Sequence, residues 1–156
     1  MSDITALLQS IDAVRNDPFD IELYLARGVE WYKLKCYDEC SSDLMFYESS
    51  GGQDPKFRLY LGMALSKTQS RRSTEYLRSY LSINSSDVDA MVFLGHVYYD
   101  GGKYLLSAEM FHMAVGRGYN PVILREKASA LASQKMFDEA AAFDPAFGKK
   151  KGLFRR

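Results

Sequence analysis

Three glycines recur along the chain at an almost constant interval. Gly28, Gly62 and Gly95 lie 34 and 33 residues apart, and each is embedded in a similar run of apolar and aromatic residues. A fixed period in this range is typical of helical hairpins that stack on one another as a solenoid. The period therefore predicts an all-α fold, a right-handed superhelix of helical hairpins. Because such arrays bind other chains, it also favours a partner over a substrate.

The composition is that of an ordinary folded protein. Apolar residues make up 47% of the chain and charged residues 26%, and the net charge is zero, so the whole molecule has no bulk attraction to nucleic acid. No apolar run is long enough to span a bilayer. The N-terminal residues lack the basic and apolar regions of a secretory signal. We therefore expect a cytoplasmic protein with no transmembrane segment and no nucleic-acid partner.

Turn residues and apolar periodicity divide the chain into helices. A first helix is predicted over residues 2–15, where apolar residues recur at helical spacing. Four hairpins follow, with predicted helices over 20–34 and 37–49, 55–68 and 71–83, 88–100 and 103–117, and 121–134 and 137–143. In the last hairpin Ala128 takes the place of the glycine, which suits the end of an array that faces water.

These helices predict three segments. An N-terminal helix and joint occupy residues 1–19, and a repeat domain of three clear units and one degraded unit occupies residues 20–143. A basic C-terminal tail occupies residues 144–156. For this tail we leave two interpretations open: a solvated end, or a segment that touches an acidic surface, nucleic acid or an anionic membrane.

The recurring glycines predict a close approach of helices. A glycine inside a helix costs about 1 kcal/mol relative to alanine, so three in phase indicate a packing reason. We expect Gly28, Gly62 and Gly95 to lie where the two helices of each hairpin meet. Because one hairpin cannot bury its apolar face alone, neighbouring hairpins are expected to stack.

The units resemble those of tetratricopeptide-repeat (TPR) proteins, which run 34 residues. The third unit is the clearest, with Leu94-Gly95, Tyr98, Gly102-Lys103-Tyr104, Phe111, Ala114 and Asn120-Pro121. The first unit departs from the family at Cys40, where alanine is usual, and the second lacks the usual Gly-x-Tyr turn and has one residue fewer. The resemblance covers roughly residues 20–143 and implies a non-catalytic interaction module.

In this family the first helices of successive units line a concave groove. That geometry implies partner-binding residues that are mainly apolar or aromatic: Leu25, Val29, Tyr32 and Lys33, then Leu59, Met63 and Lys67, then Val92, His96 and Tyr99. Such a surface suits a segment with two or three apolar anchors. The alternative is that some of these side chains only pack against the N-terminal helix.

The resemblance implies a protein or peptide partner, held by an adaptor or chaperone. Family members that clasp the acidic tails of heat-shock chaperones use Lys, Asn and Arg, and these are missing from the corresponding places: Leu25, Val29, Tyr60, Asp89 and Phe93. In size and architecture the chain is also similar to the small chaperones of translocator proteins in bacterial type III secretion. The alternative function is a scaffold subunit that uses the convex face or the N-terminal helix, and a homodimer is a further option.

Residues that could carry chemistry are few. Cys36 and Cys40 do not have the Cys-x-x-Cys spacing of metal or redox sites, and no second ligand pair follows. His96 and His112 have no Asp or Cys at a fixed spacing that would make a triad. No glycine-rich nucleotide loop occurs. We therefore predict that the protein is not an enzyme and has no catalytic residue, metal site or cofactor.

Overall fold

The computed structural model describes residues 3–68 and 71–148, and the regular elements in these ranges are all helices. They are α1 (Asp3–Asn16), α2 (Glu22–Lys33), α3 (Tyr37–Ser49), α4 (Lys56–Lys67), α5 (Ser73–Ile83), α6 (Val88–Asp100), α7 (Tyr104–Gly116), α8 (Val122–Ser133), α9 (Phe137–Phe143) and a 3₁₀ turn (Pro145–Phe147). The predicted all-α fold is confirmed, with helix ends within two residues of expectation. Residues 149–156 of the predicted tail lie outside the described residues.

The chain divides between Ser85 and Ser86 into two compact units. The first unit holds α1 to α5, with α1 packed on α2 and each later helix on the one before. Its core includes Leu44, Tyr47, Leu61 and Phe57. The second unit holds α6 to α9, and its core includes Phe111, Leu131 and Phe143. The division into residues 1–19, 20–143 and 144–156 stays a prediction.

The predicted close approach at the glycines is confirmed. Each of the three lies in the first helix of a hairpin, against a large apolar side chain of the second helix. An added Cβ would lie 2.7 Å from Leu44 Cδ2 at Gly28, 2.8 Å from Leu77 Cγ at Gly62, and 3.0 Å from Phe111 Cζ at Gly95. A Cβ at that distance would force its neighbour to shift, so glycine lets these helices approach with their side chains in place.

A second small residue recurs in the other helix of each hairpin. It lies eleven or twelve residues after the glycine of the first helix, or after Ala128 in the fourth hairpin. The four residues at this position are all fully buried: Cys40, Ser73, Ser107 and Ala140. Ser73 Oγ donates to the carbonyl of Gly62 at 2.8 Å, and Ser107 Oγ donates to that of Gly95 at 2.7 Å. These bonds satisfy hydroxyl groups that have no access to water.

The turn inside a hairpin also repeats, but with unexpected residues. The turn residue lies seven positions after Gly28, Gly95 or Ala128. Its backbone φ is positive in all three hairpins: 61° at Lys35, 72° at Gly102 and 63° at Lys135. Glycine suits this conformation, whereas a lysine there is uncommon. Glycine therefore occupies this turn position only in the third hairpin, although the same backbone conformation closes the first and the fourth.

One ion pair joins α2 to α3. Arg27 Nε donates to Asp43 Oδ2 at 2.8 Å, and Arg27 Nη2 donates to Asp43 Oδ1 at 2.7 Å. Asp43 is buried, and the hydrogen bonds to its carboxylate raise the pKa of the Arg27 guanidinium. A bidentate pair of this kind fixes both the spacing and the rotation of the two helices.

The cysteines have different surroundings. Cys36 is half-buried, whereas Cys40 is fully buried in the core of the first unit, and both are free thiols. Burial raises the pKa of the Cys40 thiol to about 12. A neutral, enclosed thiol behaves as a small apolar side chain, which agrees with the small-residue packing place that Cys40 occupies in the repeat.

Candidate functional site

Two of the residues predicted to bind a partner lie in the core of the first unit. Leu25 is 6% exposed and Val29 is 7% exposed, and both pack in the cluster that contains Leu44 and Leu61. The other buried residues of this cluster belong to α3, α4 and α5, and none of them belongs to α1. Such buried side chains offer a partner almost no surface, so we leave them out of the candidate site.

Tyr32 forms the centre of an aromatic group in the first unit. Its ring is half-buried near the end of α2 and meets the ring of Tyr60 on α4 almost perpendicularly, with centroids 5.4 Å apart. The centroid of the Tyr37 ring on α3 lies 5.6 Å from the centroid of the Tyr32 ring. Burial raises the pKa of the Tyr32 hydroxyl. The group therefore ties three helices together and still leaves part of each ring exposed.

A stripe along α4 continues from this group. Lys56, Tyr60, Met63 and Lys67 are spaced four, three and four residues apart, which places them within about 60° on the helix surface. Lys56 Nζ lies 5.9 Å from the centroid of the Tyr60 ring. Tyr60 and Met63 are half-buried and the two lysines are exposed. We call these four residues the α4 face; its apolar middle has a cation at each end.

Two further predicted residues of the first unit are Leu59 and Lys33. Leu59 is half-buried, and its position on α4 is within about 60° of Met63. Lys33 is exposed, and its Nζ donates to Glu30 Oε1 at 2.8 Å. This pair lies one turn apart along α2, so Lys33 is held by its own helix.

In the second unit, Val92, His96 and Tyr99 lie along one side of α6, spaced four and three residues apart. Tyr99 is the best connected of them, since its ring lies 5.2 Å from that of Tyr104 and 6.0 Å from that of Phe143. Lys127 Nζ of α8 lies 4.1 Å from the centroid of the Tyr99 ring. This cation–π contact places a positive charge beside a half-buried aromatic side chain.

The surroundings of His96 favour the neutral form of its imidazole. Its ring meets the ring of Phe111 nearly at right angles, with centroids 5.0 Å apart. Burial lowers the pKa of His96, the charge of Lys127 lowers it further, and Asp100 acts in the opposite direction. A neutral imidazole in this position can accept or donate one hydrogen bond and otherwise offers an apolar surface.

The ten predicted residues thus fall into two sets, seven in the first unit and three in the second. The structure groups Tyr32, Met63 and Lys67 with two residues that the sequence analysis did not select, Lys56 and Tyr60. Their spacing was the available signal, since Lys56 and Tyr60 are one turn apart and share a face with Met63. Lys127 gave no comparable signal, because its contact with Tyr99 joins separate helices.

Over residues 3–68 and 71–148, no three His, Cys, Asp or Glu side chains are grouped so that they could hold a metal ion. Helices in those same ranges are too short or too polar to cross a membrane.

Comparison with known proteins gives matches at the level of structure. No family model and no curated protein sequence matches the chain. Two solved structures of MamA superpose with TM-scores of 0.75 and 0.73, at 17% and 16% identity, and cover 93% and 90% of this chain and 86% and 84% of MamA. YrrB, described as a TPR protein with an unusual peptide-binding site, superposes with a TM-score of 0.71 at 17% identity over 92% of this chain and 78% of YrrB. At such low identity these matches establish the fold alone, which is an all-α array of helical hairpins of the tetratricopeptide-repeat type.

Proposed function

We propose that this protein is a non-catalytic interaction module, an adaptor or chaperone, that binds an apolar-anchored segment of a partner protein on the first helices of its hairpins. The observation that carries the proposal is the placement of half-buried tyrosines there: Tyr32 on α2, Tyr60 on α4 and Tyr99 on α6. YrrB, which shares the fold, is a peptide-binding TPR protein by its description. The cytoplasmic location and the similarity to secretion chaperones stay predictions of the sequence.

The tyrosines suit this function for a physical reason. An aromatic ring offers a large apolar area with few rotatable bonds, so little conformational entropy is lost when a partner packs on it. Each ring is already oriented by a neighbour, Tyr32 by Tyr60 and Tyr99 by Tyr104. Prearranged aromatic side chains are the residues that most often dominate the binding free energy of an interface.

Replacing Tyr32 and Tyr99 by alanine tests this proposal. Because each truncation removes a ring that would pack on the partner, we expect the double variant to bind at least about tenfold more weakly. The ligands are peptides of about 12 residues, enough to add a strand or a short helix, selected from a random display library on the full-length protein. Affinity is measured by fluorescence anisotropy, and circular dichroism reports helical content.

Phe19→Ala is the matched control, since Phe19 is an aromatic residue that is 92% exposed and lies before α2. This variant should bind the peptides as the unaltered protein does. Equal binding by the unaltered protein and the Tyr32→Ala, Tyr99→Ala variant would rule out the proposed surface.

A scaffold role is the second candidate, and the outer side of α1 favours it. Ile4 is 61% exposed and Leu8 is 56% exposed, one turn apart, whereas Leu7 and Val14 of the same helix are buried. The packing of α1 on α2 buries one apolar stripe of the helix. The exposed side chains of Ile4 and Leu8 form a second apolar stripe, which this packing leaves uncovered. This stripe could contact another subunit or a second copy of the chain.

Charge on that stripe distinguishes the two candidates. If the scaffold role holds, Ile4→Glu with Leu8→Glu will abolish self-association or assembly in sedimentation velocity, because carboxylates cannot enter an apolar contact. Binding of the selected peptides will be retained. Glu replacements at the exposed positions Thr5 and Gln9 serve as the charge-matched control. Unchanged sedimentation of the Ile4, Leu8 variant would exclude α1 as an assembly surface.

A further inference from the structure

The net charge of the chain is zero, but acidic and basic residues are unevenly distributed along it. Residues 55–83, which form the α4–α5 hairpin, contain six basic residues and one acidic residue, Glu75. Residues 17–54 just before them contain three basic and nine acidic residues. The six basic residues are Lys56, Arg58, Lys67, Arg71, Arg72 and Arg78. One hairpin of the first unit is therefore a basic surface within a neutral protein.

Most of these cations are not neutralised by the protein's own carboxylates. Among the residues that the structure describes, Lys56, Arg58, Arg71 and Arg78 have no carboxylate oxygen within 4.0 Å. Lys56 and Arg58 instead lie over the rings of Tyr60 and Phe57. By contrast, the two cations of α2 are paired, Arg27 with Asp43 and Lys33 with Glu30. The charges of these four residues of the α4–α5 hairpin are therefore open to an anionic partner.

The α4 face gives this charge a pattern. Lys56 and Lys67 are eleven residues apart, which corresponds to about 16 Å along a helix at 1.5 Å per residue. Between them lie Tyr60 and Met63, both half-buried and uncharged, with Leu59 beside them. An apolar centre with a cation at each end is complementary to an apolar anchor with an acidic group at each end.

We propose that the partner segment bound by the α4 face is acidic, with an apolar anchor packed on Tyr60 and Met63 and carboxylates on both sides, one near Lys56 and one near Lys67. This proposal rests on the proposed function and specifies its ligand. A separation of about 16 Å equals roughly five residues of an extended peptide. The expected partner segment therefore has an apolar residue in the middle and an acidic residue on each side, all within a short stretch of chain.

The same surface fits a nucleic acid poorly. On the α4 face no cation lies between Lys56 and Lys67, which are about 16 Å apart along the helix. A phosphate chain would need continuous positive charge there.

The experiment is a selection of random peptides of about 12 residues on the full-length protein, repeated on Lys56→Glu, Lys67→Glu. For the unaltered protein we expect enrichment of Asp and Glu on both sides of an apolar residue. Selected peptides should bind the charge-reversed variant at least about tenfold more weakly. Raising the salt concentration from about 50 to about 300 mM should also weaken their binding severalfold. Lys103→Glu, Arg117→Glu in the second unit carries the same charge change and should leave binding unchanged.

Each outcome separates this proposal from the one on which it rests. Enriched peptides without acidic residues would overturn the acidic ligand and leave the interaction module standing. Acidic peptides that bind the charge-reversed variant equally well would also overturn it, since another surface would then recognise them. No enrichment at all would refute the interaction module itself. Tighter binding of an oligothymidylate than of any selected peptide, lost in the same variant, would assign the α4 face to nucleic acid.

Discussion

Gly62→Val will destabilise the protein by about 3 kcal/mol, because an enlarged side chain has no space in a packed helix contact. A Cβ at this position would lie 2.8 Å from Leu77 Cγ and 3.2 Å from the backbone nitrogen of Leu77. Leu77 is fully buried, so its side chain cannot turn into solvent. The two helices of the hairpin would have to separate, which would also strain the bond from Ser73 to the Gly62 carbonyl. Urea unfolding followed by circular dichroism measures the loss.

Gly116→Ala is the control that isolates packing from helix propensity. Gly116 is the last residue of α7, and an added Cβ there has nothing within 4 Å. Alanine should therefore stabilise the protein by up to about 1 kcal/mol, through its higher helix propensity alone. If Gly62→Val were as stable as the unaltered protein, the close approach of α4 and α5 could not be the reason for the glycine.

Arg27→Met will have an effect of similar size, about 3 kcal/mol, because it leaves a buried carboxylate without its partner. Asp43 is 6% exposed, and each of its two carboxylate oxygens accepts a hydrogen bond from Arg27. Methionine keeps much of the apolar length of the arginine, so the lost ion pair dominates the change. The free energy of unfolding in urea at neutral pH is the measurement.

The double variant Arg27→Met, Asp43→Leu shows whether the ion pair or the volume matters. Once both charges are replaced by apolar groups, the desolvation cost disappears, and at least about 1 kcal/mol of the single-variant loss should be recovered. The opposite result would be a double variant that is less stable than Arg27→Met. It would mean that the ion pair contributes to the free energy of unfolding in a way that apolar packing between α2 and α3 cannot replace.

The helices of this protein were predictable because their signals are local. Apolar spacing and turn residues placed the helix ends within two residues. The positive φ at Lys35 and Lys135 was not predictable from residue type, since lysine has no preference for that conformation. There the packing of the two helices imposes the conformation on whichever residue occupies the position.

The candidate site was predictable only in part. Tyr32 and Tyr99 were selected for their repeat positions, and the structure places both in half-buried aromatic groups. The same repeat logic selected Leu25 and Val29, which instead belong to the core. A repeat position gives the side of a helix but not its neighbours, and the neighbours decide how much of a side chain remains exposed.

By itself the sequence determined the repeat period and the helical hairpins. It also determined the three glycines that allow the helices of a hairpin to approach. These features follow from residue type and from spacing over about one repeat length. The sequence also determined the uneven distribution of charge that makes the α4–α5 hairpin basic. Only the tertiary structure decided which apolar residues are buried, that Arg27 pairs with Asp43, and that Lys127 lies over Tyr99. These features depend on contacts between separate helices, whose distances no single segment of the chain encodes.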